Sequence, residues 1–253
     1  CHQHSTKTAF SNLGVSLSYQ ALEEKSRYFA SYLQKTLKLQ KGDRVAIMMP
    51  NLLQYPVALY GILRAGLVVV NINPLYTAVE LTHSLRDSGA KAIIVLANFA
   101  HTLEKSLPDV ELEHILITEL ADLMGGLKKP LINFVVKHIK RLVPPYCLPQ
   151  SETFSRALRQ GEQLAYDKPL LDHSDLAFLQ YTGGTTGRPK AAMLSHRNMI
   201  ANILQCRVWI QGSNQDFNDV VLAALPLYHI FSLTVCCMTF MTLGAECLLI
   251  TNP

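Results

Sequence analysis

The ten residues 181–190 carry the side chains of this chain that are best suited to chemistry. They include three glycines, three threonines and a lysine. Glycine lets backbone N–H groups turn toward an anion, threonine adds hydroxyl donors, and lysine adds a positive charge. This combination predicts a loop that binds phosphate groups.

The spacing within this loop separates the known classes of phosphate loop. A Walker loop ends in Gly-Lys followed by Ser or Thr, whereas Lys190 follows Pro189 and precedes Ala191. The dinucleotide pattern Gly-x-Gly-x-x-Gly is also missing. A plain polar hairpin is the structural alternative, but hairpin connections usually have about two to five residues. The sequence therefore favours a phosphate site of another class.

The composition limits the kind of protein that presents this loop. Of 253 residues, 49% are hydrophobic and 17% are charged, whereas an ordinary soluble domain has about 25% charged residues. Disorder needs few apolar residues and a coiled coil needs abundant Glu, Lys and Arg, so both are excluded. The net charge of +4 is mild and is not concentrated in a run with aromatic residues, which gives nucleic-acid binding no support.

The cysteines indicate a reducing compartment. All six lack Cys-x-x-Cys spacing, and most lie in apolar runs. We therefore expect reduced core thiols in a cytoplasmic protein, without a zinc site.

Alternating strand and helix patterns surround the loop. A hairpin is predicted over 8–18 and an amphipathic helix over 19–38. Further strands are predicted over 44–49, 67–71, 92–96, 114–118, 175–181 and 191–194, and helices over 52–64, 77–88, 99–107 and 151–160. This order predicts an α/β fold of stacked, predominantly parallel sheets covered by helices.

Two regions bear on the domain organisation, one as a connecting segment and the other as a possible membrane span. Residues 121–172 are rich in Gly and Pro and predict a connecting segment. We therefore expect a first α/β subdomain over 1–172 and the start of a second over 173–253. Residues 220–245 lack charge and are long enough for a bilayer, but Pro226 and Gly244 interrupt them, which favours a buried βαβ unit.

Residues 181–190 resemble the signature loop of adenylate-forming enzymes, the superfamily of acyl-CoA synthetases, luciferases and peptide-synthetase adenylation domains. Residues 225–231 (Leu-Pro-Leu-Tyr-His-Ile-Phe) resemble the second core motif of that superfamily. Together with residues 51–58, 61–66, 68–76 and 248–253, they resemble bacterial long-chain fatty acyl-CoA synthetases. The likeness covers nearly the whole chain and about the N-terminal half of such an enzyme. We expect this chain to lack the C-terminal domain of the family and therefore to be inactive in isolation.

The resemblance implies ATP-dependent activation of a long-chain fatty acid to an acyl-adenylate, and then to acyl-CoA. It implies ATP, Mg²⁺ and coenzyme A as partners in the reaction, catalytic roles for Lys190 and His229, a fatty-acid contact at Tyr228 and His229, and a Mg²⁺ contact at Thr182. The implied nucleotide-binding residues are Tyr181, Thr182, Gly183, Gly184, Thr185, Thr186, Gly187, Arg188, Pro189, Lys190, Ala191 and Ala192. Family members usually have Gly at the position of Ala191, and we expect activity to survive this added methyl.

Two other functions stay open from the sequence. One is adenylation of an aryl or amino acid, and the other is a non-catalytic lipid- or nucleotide-binding fragment. Leucine and isoleucine surround His229, and no acidic residue nearby would pair with an α-amine, which favours a fatty acid. The oligomeric state is open, with a homodimer as one candidate.

Residues 130–143 have the pattern of an amphipathic helix. Polar and basic residues are predicted on one face (Asn133, Lys137, Lys140 and Arg141), and apolar residues on the other (Leu131, Phe134, Val135, Ile139 and Leu142). Such a helix suits peripheral contact with an anionic membrane on its cytoplasmic side, and a surface helix covering the core is the alternative.

Overall fold

The computed structural model describes residues 4–126, 128–182, 189–211 and 219–251. Within these residues the strands are β1 (Thr8–Asn12), β2 (Val15–Ser18), β3 (Arg44–Met48), β4 (Val68–Asn71), β5 (Ala90–Leu96), β6 (His114–Thr118), β7 (Glu152–Thr153), β8 (Leu176–Thr182), β9 (Lys190–Ser195), β10 (Val220–Ala223) and β11 (Glu246–Leu249). The α-helices are α1 (Tyr19–Lys35), α2 (Gln54–Arg64), α3 (Ala78–Ser88), α4 (Ala100–Ser106), α5 (Lys128–Phe134), α6 (Phe154–Glu162), α7 (His196–Gln211), α8 (Ile230–Ser232) and α9 (Phe240–Thr242). Val135–Ile139 and Leu233–Thr239 are π-helical, and Ala97–Phe99 and Leu107–Asp109 are short 3₁₀ turns.

The strands form two sheets. The larger has the order β7-β6-β5-β3-β4-β8-β9, and the smaller has the order β10-β11-β1-β2. All neighbours pair in parallel except β1 with β2 and β8 with β9. The predicted fold class is therefore confirmed, and β10, the helical residues 230–242 and β11 form the predicted βαβ unit.

Most predicted elements lie where the sequence placed them, with shifts at their ends. Thr77 caps α3 through a capping box with Glu80, as predicted. Helix α1 ends at Lys35 and not at Lys38, because Lys38 has a positive φ of 55° that no α-helix accommodates. The hairpin turn uses two left-handed residues, Leu13 and Gly14, which is the geometry of a tight two-residue connection.

Both faces of the larger sheet are buried along its central strands β3, β4 and β5. Along β3, Val45 and Ile47 pack into one apolar cluster, while Ala46 and Met48 pack into another. Successive side chains of a strand point to opposite faces, so strands covered on both sides have apolar residues at most positions. This arrangement explains the low fraction of charged residues.

Strand pairing crosses residue 172 in both sheets. Strand β4 pairs with β8, and β1 pairs with β11. The division of the chain into residues 1–172 and 173–253 stays a prediction. The connecting segment is not free of sheet structure, because β7 extends the larger sheet at its edge.

The cysteines differ in exposure. Cys237 and Cys247 are buried, as expected of core thiols, and burial raises the pKa of Cys237 to about 12. Cys147 is exposed, so the prediction of a core thiol is wrong there. Within the described ranges, no helix combines the length and apolar character needed to cross a bilayer.

Candidate functional site

Strands β8 and β9 carry the two ends of the predicted phosphate loop. They pair as an antiparallel hairpin in which Thr182 lies opposite Lys190 and Tyr181 lies opposite Ala191. Gly183, Gly184, Thr185, Thr186, Gly187 and Arg188 lie outside the described residues. The hairpin and phosphate-loop interpretations are therefore compatible, since the connection is longer than an ordinary hairpin turn.

The described residues at the two ends of this loop differ in solvent exposure. Lys190 is exposed and forms no ion pair with a described residue, which leaves its ammonium free for an anion. Thr182 is exposed, and Ala192 is exposed on β9. Ala191 is half-buried and packs against the apolar cluster around β3 and β5, so its methyl group is accommodated.

Helix α3 contacts both ends of the hairpin connection. The buried Tyr181 hydroxyl donates to Asp87 Oδ2 at 2.7 Å and also lies 3.0 Å from the Ser84 carbonyl. Burial and the neighbouring Asp87 carboxylate raise the pKa of Tyr181, so its hydroxyl stays a donor. At the other end, His83 Nε2 lies 3.0 Å from the Pro189 carbonyl. The helix therefore holds the strands on both sides of the loop.

A buried polar network joins the end of β4 to β8 and to the residues after β10. The Tyr55 hydroxyl lies 2.7 Å from Asn71 Oδ1 and 2.9 Å from the Leu227 carbonyl. Asn71 Nδ2 donates to Gln180 Oε1 at 3.0 Å, and Gln180 Nε2 donates to the Tyr228 carbonyl at 2.8 Å. All three side chains are at most 4% exposed. Hydrogen bonds that are buried away from water fix the backbone of residues 227–228 against the larger sheet.

Asn51 makes a second connection between the two sheets. Its Nδ2 donates to the carbonyls of Ala223 and Leu225, at 2.9 Å and 3.0 Å. Its Oδ1 accepts from the Leu227 N–H at 2.7 Å. Asn51 follows β3 and Ala223 ends β10, so the carboxyl ends of strands from both sheets meet here. Ligands of open α/β sheets bind at such an edge.

Tyr228 and His229 project from the segment that these amides hold. Tyr228 is half-buried, and burial raises the pKa of its hydroxyl. His229 is exposed and stands immediately before α8, with extended backbone dihedrals. The structure thus places Tyr228 and His229 beside the strand that leads into the predicted phosphate loop, because Gln180 donates to the Tyr228 carbonyl.

An apolar cavity of about 450 Å³ opens beside Tyr228. Its wall includes Leu96, Phe99, Leu120, Leu142, Pro226 and Tyr228. The volume lies within the usual range of small-molecule sites, about 300–1,000 Å³. An apolar group bound there would end at the Tyr228 and His229 segment.

The residues that position this site are not among those predicted from the sequence. They are Asn51, Tyr55, Asn71, His83, Asp87 and Gln180. One signal was present, since Asn71 and Gln180 are amides inside runs predicted as buried strands. A buried amide needs partners, so such positions indicate a polar network.

Thr182 fits a magnesium ion only in part. Its exposed hydroxyl is a hard oxygen, and it lies 3.4 Å from the Lys190 carbonyl, a weak contact. Across the described ranges, no group of three His, Cys, Asp or Glu side chains is placed to hold a metal. Thr182 would therefore supply one ligand at most, with phosphate and water oxygens supplying others.

Comparison with known proteins shows the family of the chain. Residues 1–253 match the family described as AMP-binding enzyme. The chain belongs to the AMP-binding enzyme family. This AMP-binding chain is 55% identical over 251 residues to the long-chain-fatty-acid–CoA ligase of Escherichia coli O157:H7, an alignment that covers 99% of the chain and 45% of that ligase. It is thus a homologue of these ligases and spans about half of their length, and the resemblance predicted from the loop is confirmed.

Solved structures share the fold of this AMP-binding chain. A benzoate CoA ligase from Burkholderia xenovorans LB400 has a TM-score of 0.77 at 23% identity, covering 99% of this chain and 43% of that one. A long-chain-fatty-acid-CoA ligase from Archaeoglobus fulgidus has a TM-score of 0.77 at 23% identity, covering 100% of this chain and 45% of that one. At such identities the likeness concerns the fold alone, and it does not distinguish an aryl acid from a fatty acid.

Proposed function

We propose that the protein containing this chain activates a long-chain fatty acid with ATP, first to an acyl-adenylate and then to acyl-CoA. The observation that carries the proposal is the 2.8 Å hydrogen bond between Gln180 and the Tyr228 carbonyl. It joins the strand entering the phosphate loop to the segment that carries Tyr228 and His229. Carboxylate and nucleotide phosphates would therefore meet at one sheet edge.

The reaction explains why these two features must be neighbours. A carboxylate is a poor electrophile, since its leaving group would be oxide. One carboxylate oxygen attacks the α-phosphorus of ATP and pyrophosphate leaves, after which the thiol of coenzyme A displaces AMP from the acyl carbon. Alignment and charge stabilisation dominate such a phosphoryl displacement.

Different described residues would bind the phosphates, the fatty carboxylate and the magnesium ion. The Lys190 ammonium, which is exposed and without a described ion pair, would bind the β- and γ-phosphates as pyrophosphate departs. His229 and Tyr228 would orient the fatty carboxylate, with the acyl chain in the apolar cavity beside Tyr228. A magnesium ion would neutralise phosphate charge, with Thr182 as one of its ligands.

Substrate class can be tested by ATP–pyrophosphate exchange. We expect the gene product containing this chain to show exchange that depends on palmitate or oleate, with benzoate and free amino acids giving at most about 1% of that rate. A long acyl chain would bury more apolar surface in the cavity beside Tyr228 than a benzoate ring, and the charged amine of an amino acid is disfavoured there. Exchange that depends on an aryl or amino acid would instead support adenylation of that class of acid. Saturable nucleotide binding without any acid-dependent exchange would instead indicate a non-catalytic binding protein.

We also propose that residues 130–143 contact an anionic membrane. The structure corrects the predicted helix, since α5 ends at Phe134, a π-helical turn follows, and Arg141 has a positive φ of 51°. Asn133 does not lie on an open polar face, because it accepts from the Ala121 N–H and donates to Glu119. These bonds attach the segment to the protein body.

The remaining side chains of the segment suit a lipid surface. Four large apolar residues are between 56% and 65% exposed: Leu131, Phe134, Ile139 and Leu142. Lys137, Lys140 and Arg141 are exposed, and no Asp or Glu occurs from residue 123 to residue 151. Leu142 also borders the cavity beside Tyr228. A fatty acid leaving the inner leaflet at the cytoplasmic face would thus find an apolar path toward the site.

Vesicle co-sedimentation tests this contact. Changing Lys137, Lys140 and Arg141 to glutamate should weaken binding to phosphatidylglycerol vesicles by about a hundredfold, because each basic residue near an anionic surface contributes about 1 kcal/mol. The matched control changes three exposed lysines elsewhere, Lys38, Lys105 and Lys168, to glutamate and should have a much smaller effect. Equal binding of both variants and the unchanged protein would contradict the proposal.

A homodimer stays a separate prediction, and light scattering would measure the oligomeric state.

A further inference from the structure

The carboxyl-terminal end of the phosphate loop has a partner outside its own hairpin. His83 Nε2 lies 3.0 Å from the Pro189 carbonyl, immediately before Lys190. Because a carbonyl only accepts, Nε2 must carry the proton and donate. Strand pairing with β8 begins at Lys190, so Pro189 lies just outside the ladder. His83 therefore supplies a donor where the sheet does not.

The amino-terminal end of the loop is held by the same helix. Tyr181 donates to Asp87 at 2.7 Å, and Asp87 follows His83 by four residues on α3. Side chains four residues apart lie on one face of a helix. One face of α3 thus bonds to Tyr181, which precedes the connection, and to Pro189 at its end. These two bonds add to the pairing of Thr182 with Lys190.

We propose that His83 is a positioning residue for ATP, fixing the Pro189 backbone so that Lys190 is held ready for the nucleotide phosphates. The inference rests on the proposed function, since it takes the loop to bind ATP. His83 acts through Pro189 and Lys190 and does not itself touch the nucleotide. Loss of its hydrogen bond should weaken ATP binding more than fatty-acid binding.

The test compares three variants of the gene product containing this chain. His83→Ala removes the donor, and His83→Gln keeps an amide N–H at about the reach of Nε2. Thr82→Ala is the matched control, since Thr82 is equally half-buried on α3 and makes no side-chain hydrogen bond to a described residue of the hairpin. In exchange assays, His83→Ala should raise the KM for ATP about three- to tenfold, the range expected for one neutral hydrogen bond, with the KM for fatty acid within about twofold.

A second readout does not depend on catalysis. The rate of tryptic cleavage after Lys190, followed by mass spectrometry, reports how often this end of the hairpin opens. His83→Ala should raise that rate about three- to tenfold, while His83→Gln and Thr82→Ala should leave it within about twofold. The same pattern in both assays supports the inference.

Other results would overturn it. An unchanged KM and cleavage rate in His83→Ala would show that the hydrogen bond positions nothing. If His83→Gln or Thr82→Ala changed the KM for ATP and the cleavage rate as much as His83→Ala does, the change would come from a general loosening of α3 and not from the lost hydrogen bond. Failure of the proposed function is distinct, because it would appear as missing fatty-acid-dependent exchange in the unchanged protein, while the cleavage assay would still test His83.

Discussion

Replacing Lys190 with alanine is expected to lower fatty-acid-dependent ATP–pyrophosphate exchange about 100- to 1,000-fold, the usual loss when one donor to a developing charge is removed. The physical reason is that the exposed Lys190 ammonium forms no ion pair with a described residue and would face the departing pyrophosphate. Because the side chain is exposed, the free energy of unfolding should change by less than about 0.5 kcal/mol. Exchange kinetics and urea unfolding measure the two quantities.

The control for this variant is Lys105→Ala, which removes an exposed lysine from α4 with no described ion pair. Its exchange rate should stay within about twofold of the unchanged protein, since it is a surface substitution away from the site. Unaltered exchange in Lys190→Ala would contradict the role given to Lys190. A large drop accompanied by unfolding would mean that Lys190 supports the fold instead.

Replacing Asn71 with alanine should lower the free energy of unfolding by about 2–3 kcal/mol, because it leaves the buried Gln180 Oε1 without its donor. It should also raise the KM for fatty acid, since Gln180 orients the Tyr228 carbonyl. Urea unfolding and exchange assays provide the measurements. Asn73→Ala is the matched control, because the Asn73 side chain accepts one hydrogen bond among the described residues, from the N–H of the exposed Leu75. This substitution should cost less than about 1 kcal/mol.

A double-mutant cycle with Tyr55→Phe separates a network from independent contacts. The Tyr55 hydroxyl bonds to Asn71, so the two substitutions should destabilise less together than the sum of their separate effects. Strict additivity, or equal costs for Asn71→Ala and Asn73→Ala, would mean that the buried chain of amides does not act as a unit.

The sequence predicts the parts of this site that are local in the chain. Hydrophobic periodicity indicates the strands and helices, and the capping box at Thr77 marks the start of α3. The order of residue types around Lys190 indicates the phosphate loop. Bonds such as Gln180 to Tyr228 join residues far apart in the chain, and no local pattern encodes which amide meets which carbonyl. The same holds for residues 130–143, where periodicity assumes a regular α-helix and the π-helical turn changes which side chains face outward.

The pairing of β1 with β11 has a consequence for how the chain folds during synthesis. Phe10 lies opposite Cys247, so the smaller sheet joins residues at nearly the full separation available in the chain. At the usual elongation speed of about 5–20 residues per second, β1 waits roughly 10–50 s after it is made before its partner exists. Its pairing with β2 covers only one edge during that interval, and the other exposes unsatisfied backbone groups. High contact order slows folding, so the meeting of the two sheets, which creates the site, is expected among the last steps.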